Sequence, residues 1–487
     1  MPSPFVTSLS DDLQESLRQQ LDTRVSSNAC PSVVGLVFCG DEIVFSHTVG
    51  EAVRGEGSPD LDTVYRIASV SKGFTAATVL RLRDQGMLSL DAPITDFVPV
   101  FRQGGTGPRF SPPTVRQLLS MSGGLPTDDP WADRQESITN EELRAFVAGG
   151  VYLTTAPGTV FQYSNLGYAL VGQVVEAVTG RRFHDVATEE ILVPLGLTST
   201  GYEASVVPEE RLARGYRRGL EDWVPVPYAG PGAFSCIGGL FSSARDLMTW
   251  VNWLAEALRD EDSPSDVLSP TSRREMQQIV TAITGGDDLW VGELAGRSVG
   301  YGFGLMAEHD AALGHFVAHS GGYPGFSSHI RWHADTGIGV VVLENGTYSG
   351  ATGTGITMMQ TVVKGLGYHV SPIRPLSETV AMAERVTEML YSWSDDETDV
   401  LFEPNVALDF PYDERRYRSD AAIEEVGGLA ARRSIDLSDT TSDSPLHLTW
   451  TVPGLTGALR CELRLSPIVP ARIQTFRVSP VHDARTA

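Results

Sequence analysis

Lysine is nearly missing from this chain of 487 residues: of its 37 lysines and arginines only Lys72 and Lys364 are lysines. GC-rich coding produces such a bias, and on that reading two lysines escaped it. The other reading is chemical, because arginine cannot lose its proton in a protein whereas a buried lysine can. Cysteine is scarce as well. Cys30, Cys39, Cys236 and Cys461 form no CxxC pair and no zinc pattern, and read as reduced, packed thiols. The longest apolar runs, such as VVGLVF (33–38), are far too short to span a bilayer. Positive charge is also short: the formal net charge is −24, which excludes nucleic acid and anionic membrane as partners, since both need a basic surface. The first residues carry no basic segment followed by an apolar run, so no secretory signal is read there and a cytoplasmic location is expected.

What is present is ordinary globular material, 41% hydrophobic and 20% charged. Leu9, Leu13, Leu17 and Leu21 fall four apart, which predicts a short amphipathic helix. SVVGLVFCGDEIVFSHTVG (32–50) reads as two strands around a Gly-Asp turn. A helix is expected from about Ser69, and residues 114 to about 260 are mainly helical in pattern. Strands return between 315 and 346, followed by the helix GTGITMMQTVVKGLG. SPIRP (371–375) is a plausible linker. Beyond it one helix, ETVAMAERVTEMLYSW, leads to a segment of β-alternation such as LRCELRL. The expected organisation is a main domain over 1–370 and a small α+β domain, rich in β-structure, over 376–487. Strands at both ends of the main domain pair into one sheet with helices packed on it, an α+β arrangement.

Three short elements carry chemistry. Ser69-Val70-Ser71-Lys72 is an S-x-x-K, whose i and i+3 side chains share a helical face. A neutral Lys72 can take the Ser69 proton. About one or two such matches arise by chance in a chain this long, and the lysine scarcity is what lifts this one. Tyr163-Ser164-Asn165 opens a helix after a Pro-Gly turn; the tyrosine is either core filler or a proton carrier beside an ammonium, and Asn165 either a cap or a donor to a substrate carbonyl. His319-Ser320-Gly321-Gly322 ends a strand, where glycines admit a close backbone and an exposed N–H can serve an oxyanion. There is no G-x-S-x-G, HExxH, P-loop or strand-following GxGxxG.

In their order, and accompanied by RQLLSMSGGLP and GGLFSSARDLMTW, these elements resemble the serine β-lactamase/DD-peptidase superfamily. The resemblance covers about residues 15 to 370 and is narrowest to the class C β-lactamase branch with its DD-carboxypeptidase, D-aminopeptidase and esterase relatives. It implies the β-lactamase/transpeptidase-like fold, an antiparallel sheet flanked by helices with a large helical subdomain, and a cofactor-free, metal-free serine hydrolase. Ser69 would be the acylated nucleophile, Lys72 its base and Tyr163 the proton shuttle. Asn165, His319 and Gly321 would contact substrate, with the Ser69 and Gly322 N–H groups as oxyanion hole. His319 stands where relatives carry the lysine of Lys-Thr-Gly, and Met121 where they often carry histidine. The implied activity is cleavage of an amide or ester, most readily in D-residue-containing peptides. Carboxylesterase, transacylase and a non-catalytic penicillin-binding or regulatory protein are the alternatives. The expected partner is a small molecule or short peptide, and homo-oligomers are compatible with the sequence.

Overall fold

Ser32–Cys39 is buried at every position, because it is an inner strand covered on both faces. Glu42–Gly50 returns along one edge through a turn at Gly40, and Ile338–Glu344 pairs with the other, placing Val34 opposite Leu343 and Leu36 opposite Val341. The structure, a computed structural model, describes residues 7–260, 262–284, 296–370 and 372–481. Its main sheet has eight antiparallel strands, ordered 42–50, 32–39, 338–344, 326–333, 314–323, 306–310, 297–301, 281–282.

Alternate side chains of a strand face opposite sides, and here each side has its own cover. Val33, Val37, Val340 and Val342 pack with Leu17 and Leu21 of helix Asp11–Ser26 and with Met358, Met359 and Val362 of helix Ala351–Gly365. Val34, Leu36, Val341 and Leu343 join the core of the helical block. The predicted leucine stripe is shorter than expected. Ser10 caps the helix by accepting from Leu13 N, so Leu9 precedes it and is buried as a flanking residue.

At the centre of the block lies Ser71–Asp84, buried almost throughout, with Phe74 stacked on Trp250 at 3.9 Å between ring centroids. A helix covered on all sides has no polar stripe, which is why its buried lysine is conspicuous. Helices Asn165–Thr179 and Ala244–Arg259 contribute to the same core.

The chain divides into two compact units, Met1–Val370 and Ser371–Ala487. Ser371, the first residue of the SPIRP stretch, lies outside the described residues. In the second unit Ser377–Tyr391 is followed by three helices the sequence reading lacked, Asp395–Leu401, Pro404–Asp409 and Tyr412–Glu425. The β-rich description therefore holds only for the meander His447–Pro453, Ala458–Leu465 and Ile473–Val481. Its inward side chains, among them Trp450, Leu459, Cys461, Leu463 and Phe476, form a separate core. No helix among the described residues is long and apolar enough to cross a membrane.

Candidate active site

Ser69 does not sit on an ordinary first helical turn, as the sequence suggested. Ala68–Val70 is a single 3-10 turn feeding Ser71–Asp84, and Ala68 is held at φ 49°, a left-handed conformation that costs a residue with a side chain about 1–3 kcal/mol. The turn is clamped: Ile67 N donates to Leu240 O at 2.9 Å, and Ser71 Oγ accepts from Leu240 N at 3.2 Å. The strain is thereby spent on fixing the serine that follows.

Lys72 Nζ lies 2.8 Å from Ser69 Oγ and donates to Ile237 O at 3.0 Å. Burial pushes its pKa down to about 8, against the pull of Asp129, Asp133 and Asp128 in the opposite direction. A neutral amine can keep its N–H on Ile237 and turn its lone pair to the serine. On the other side, the Tyr163 phenol hydrogen-bonds Ser69, and its ring centre lies 5.0 Å from Nζ. An adjacent ammonium would ease deprotonation of a phenol, but here the opposite holds. Burial first, then the Asp129 charge, raise its pKa well above the usual tyrosine value, so it is a protonated donor at neutral pH.

Asn165 begins helix Asn165–Thr179, with Ser164 Oγ capping from Gly167 N at 3.1 Å. Its Nδ2 donates to Asp129, while its Oδ1 is buried with no hydrogen-bond partner. Met121, at φ 56°, brackets the tyrosine: its carbonyl accepts from Gln162 N at 2.8 Å and its Sδ lies 3.3 Å from Ser164 N.

His319 departs furthest from the expected cation. Its Nε2 accepts from the Tyr301 hydroxyl at 2.9 Å and its Nδ1 donates to Ser320 O at 2.7 Å, so both ring nitrogens are occupied. Burial, reinforced by the Lys72 charge, lowers its pKa to about 3, and the imidazole is neutral. The strand pairs with 306–310 only as far as Ala318, which leaves the 319–323 edge beside the Ala68–Val70 turn. The approach is close: a Cβ on Gly321 would lie 2.3 Å from Ile67 O, and one on Gly322 2.4 Å from the Tyr348 ring. Ser69, Lys72, Tyr163, Asn165, His319, Gly321 and Gly322 thus converge in one place.

The sequence reading missed the carboxylates. Asp128 accepts from Asn165 N at 2.7 Å and Leu166 N at 2.9 Å, Asp129 from the Asn165 amide, and Asp133 from the Tyr348 hydroxyl. Burial raises Asp128 to about 6 and Asp133 to about 7, and raises Asp129 as well. A second missed feature is Arg66, three residues before the serine, which pairs with Glu136 at 3.1 Å, each side chain only 2% exposed. Among the described residues no group of three or more His, Cys, Asp or Glu could hold a metal ion.

The sequence pattern of the Beta-lactamase family matches residues 17–358. Beta-lactamase-like protein 2 of Dictyostelium discoideum is 29% identical over 330 residues, 62% of this chain and 58% of that one. The chain therefore spans less than two thirds of that relative's length. A penicillin-binding protein homologue from Pyrococcus abyssi, described as octameric, superposes with a TM-score of 0.62 at 21% identity, covering 96% of this chain and all of its own. A D-stereospecific amidohydrolase from Streptomyces sp. gives 0.56 at 26% identity over 70% of this chain and 97% of its own.

Proposed function

The chain belongs to the Beta-lactamase family, and from that premise we propose that it is a serine hydrolase working through an acyl-enzyme on Ser69, with substrates that carry a free amino group. The observation carrying the chemistry is the 2.8 Å contact between Ser69 Oγ and Lys72 Nζ, with the Tyr163 phenol on the same oxygen. Ser69 Oγ attacks the carbonyl carbon and its proton passes to Lys72. The leaving group departs with a proton delivered from Lys72 through the phenol, and water then releases the acyl group by the same relay in reverse. The Ser69 and Gly322 N–H groups are the proposed oxyanion donors.

Charge argues for the amino group. The place of a substrate-facing lysine is taken by neutral His319, so a substrate carboxylate meets no cation there. Asp128, Asp129 and Asp133 act on Lys72 instead, and the buried Asn165 Oδ1 lacks a donor. An ammonium supplies both the charge and the donors such a site needs. This favours the N-terminal end of a peptide over its C-terminal end, and the D-amidohydrolase likeness favours D-residues.

Intact-mass spectrometry with a p-nitrophenyl ester, a D-alanyl anilide and a penicillin tests the reading. A transient acyl adduct is expected on the wild type and none on Ser69→Ala. Equal turnover by both proteins would overturn it.

The titrations separate binding from chemistry. KM for an amine-bearing anilide should fall as Asp128 and Asp133 ionise through about 6 and 7, whereas KM for a neutral ester stays flat. For both substrates kcat should rise with pH through about 8, where Lys72 becomes neutral. Parallel KM profiles for the two substrates would contradict the role given to the carboxylates.

A further inference from the structure

Exposed aromatics gather at one place beside this site. Trp131, Phe146 and Tyr152 are 42%, 47% and 66% exposed, and they border a cleft of about 250 Å³ completed by Val147, Asp128 and Ser164. Isolated exposed aromatics need no explanation, but several around one concavity mark a binding surface. The rings are set in place by their neighbours. Trp131 meets Phe146 at 6.2 Å and the buried Phe234 edge-on at 5.8 Å, and Tyr152 lies against Gly105, where a Cβ would come within 2.5 Å of the ring.

The cleft is joined to the catalytic residues by shared atoms. Asp128 lines it, accepts from Asn165 N, and is near enough to Lys72 for each charge to act on the other. Ser164, also in its wall, is flanked in the chain by Tyr163 and Asn165. In an N-terminal amino acid the ammonium and the side chain hang from one carbon. A residue whose ammonium reaches Asp128 therefore has its side chain within reach of the rings. The volume suits one large side chain rather than an extended ligand.

We infer that the Trp131–Phe146–Tyr152 cleft is the subsite for a large apolar side chain, aryl above all, on the amine-bearing acyl residue of the substrate. The inference rests on the acyl-enzyme reading given above and narrows its substrate class. Aromatic pairs hold such a ring in edge-to-face or offset contact.

The test compares full-length wild type, Trp131→Ala and Tyr152→Ala on D-phenylalanine and D-alanine p-nitroanilides. The wild type should favour the phenylalanine substrate by about tenfold or more in kcat/KM, a typical range for apolar pocket discrimination. Each variant should cut that ratio by about tenfold, mainly through KM. A ratio unchanged in both variants overturns the inference, and the ratio is insensitive to any general loss of active protein. If no anilide is turned over at all, cleavage of amine-bearing anilides is what fails, not the subsite. The subsite is then decided by calorimetric titration of Ser69→Ala with D- and L-phenylalaninamide: binding weakened by added Trp131→Ala supports it, and binding absent or unaffected overturns it.

Discussion

Lys72→Met should lower kcat for ester hydrolysis by about a thousandfold, within the range general-base removal costs, while leaving the melting temperature unchanged or raised. The two halves share one cause. Lys72 is wholly buried, and burial has moved its pKa from the ordinary 10.5 to about 8. At neutral pH the fold therefore carries a proton there at a cost, and an unbranched apolar side chain of similar length removes it. Linkage gives the sign independently. Between pH 8 and 10.5 the unfolded chain binds more protons at this lysine than the folded one, so its contribution to unfolding free energy rises with pH across that window and disappears in the variant. Lys72→Arg should lose activity to a similar degree, because the guanidinium keeps its proton. Denaturation curves alongside ester kinetics check both variants. An active Lys72→Arg would remove the lysine from the role proposed for it.

Arg66→Ala should cost about 3–5 kcal/mol of stability by denaturant titration, as when one member of a buried ion pair is removed. Arg66 and Glu136 are paired out of water, and burial already raises the Glu136 pKa against the opposing Arg66 charge. The guanidinium also donates to Gly238 O at 3.0 Å and lies 4.1 Å over the Tyr323 ring. One side chain thus ties the residues just before Ser69 to Glu136, to Gly238 and to the strand of Gly321 and Gly322. The double variant Arg66→Met/Glu136→Gln should recover a large part of the loss, since it strands no charge. If it is no more stable than Arg66→Ala, the pair's electrostatics are not the cause.

How legible all this was depended on how local each feature is. Ser69 and Lys72 are three residues apart, and Tyr163 and Asn165 two, so short patterns carried them. The sheet was readable where strands are buried on both faces, as in SVVGLVFC, or alternate cleanly, as in LRCELRL. The carboxylates were not. Within PTDDPWADR they read as loop polarity, and only the approach of that loop to Asn165, 36 or 37 residues later, gives Asp128 and Asp129 their setting. Arg66 and Glu136 were invisible for the same reason. His319 was found, but its neutrality comes from burial and from the Lys72 charge, which only the folded chain sets beside it. In the second unit, Tyr412–Glu425 is so dense in charge, with few apolar residues, that no helical stripe stands out.

The pairing of Ser32–Cys39 with Ile338–Glu344 also has a consequence in time. The first of these strands leaves the ribosome about 300 residues before its partner, an interval of roughly 15–60 s at ordinary synthesis rates. Through that interval an apolar segment destined for complete burial has only the hairpin partner Glu42–Gly50 on one edge. The sheet, and with it the packing that places the 314–323 strand against the Ala68–Val70 turn, closes only when the last partner arrives. Such long-range closure is intrinsically slow. The nascent chain must stay soluble for most of its own synthesis before the proposed site is assembled, and its net negative charge favours that.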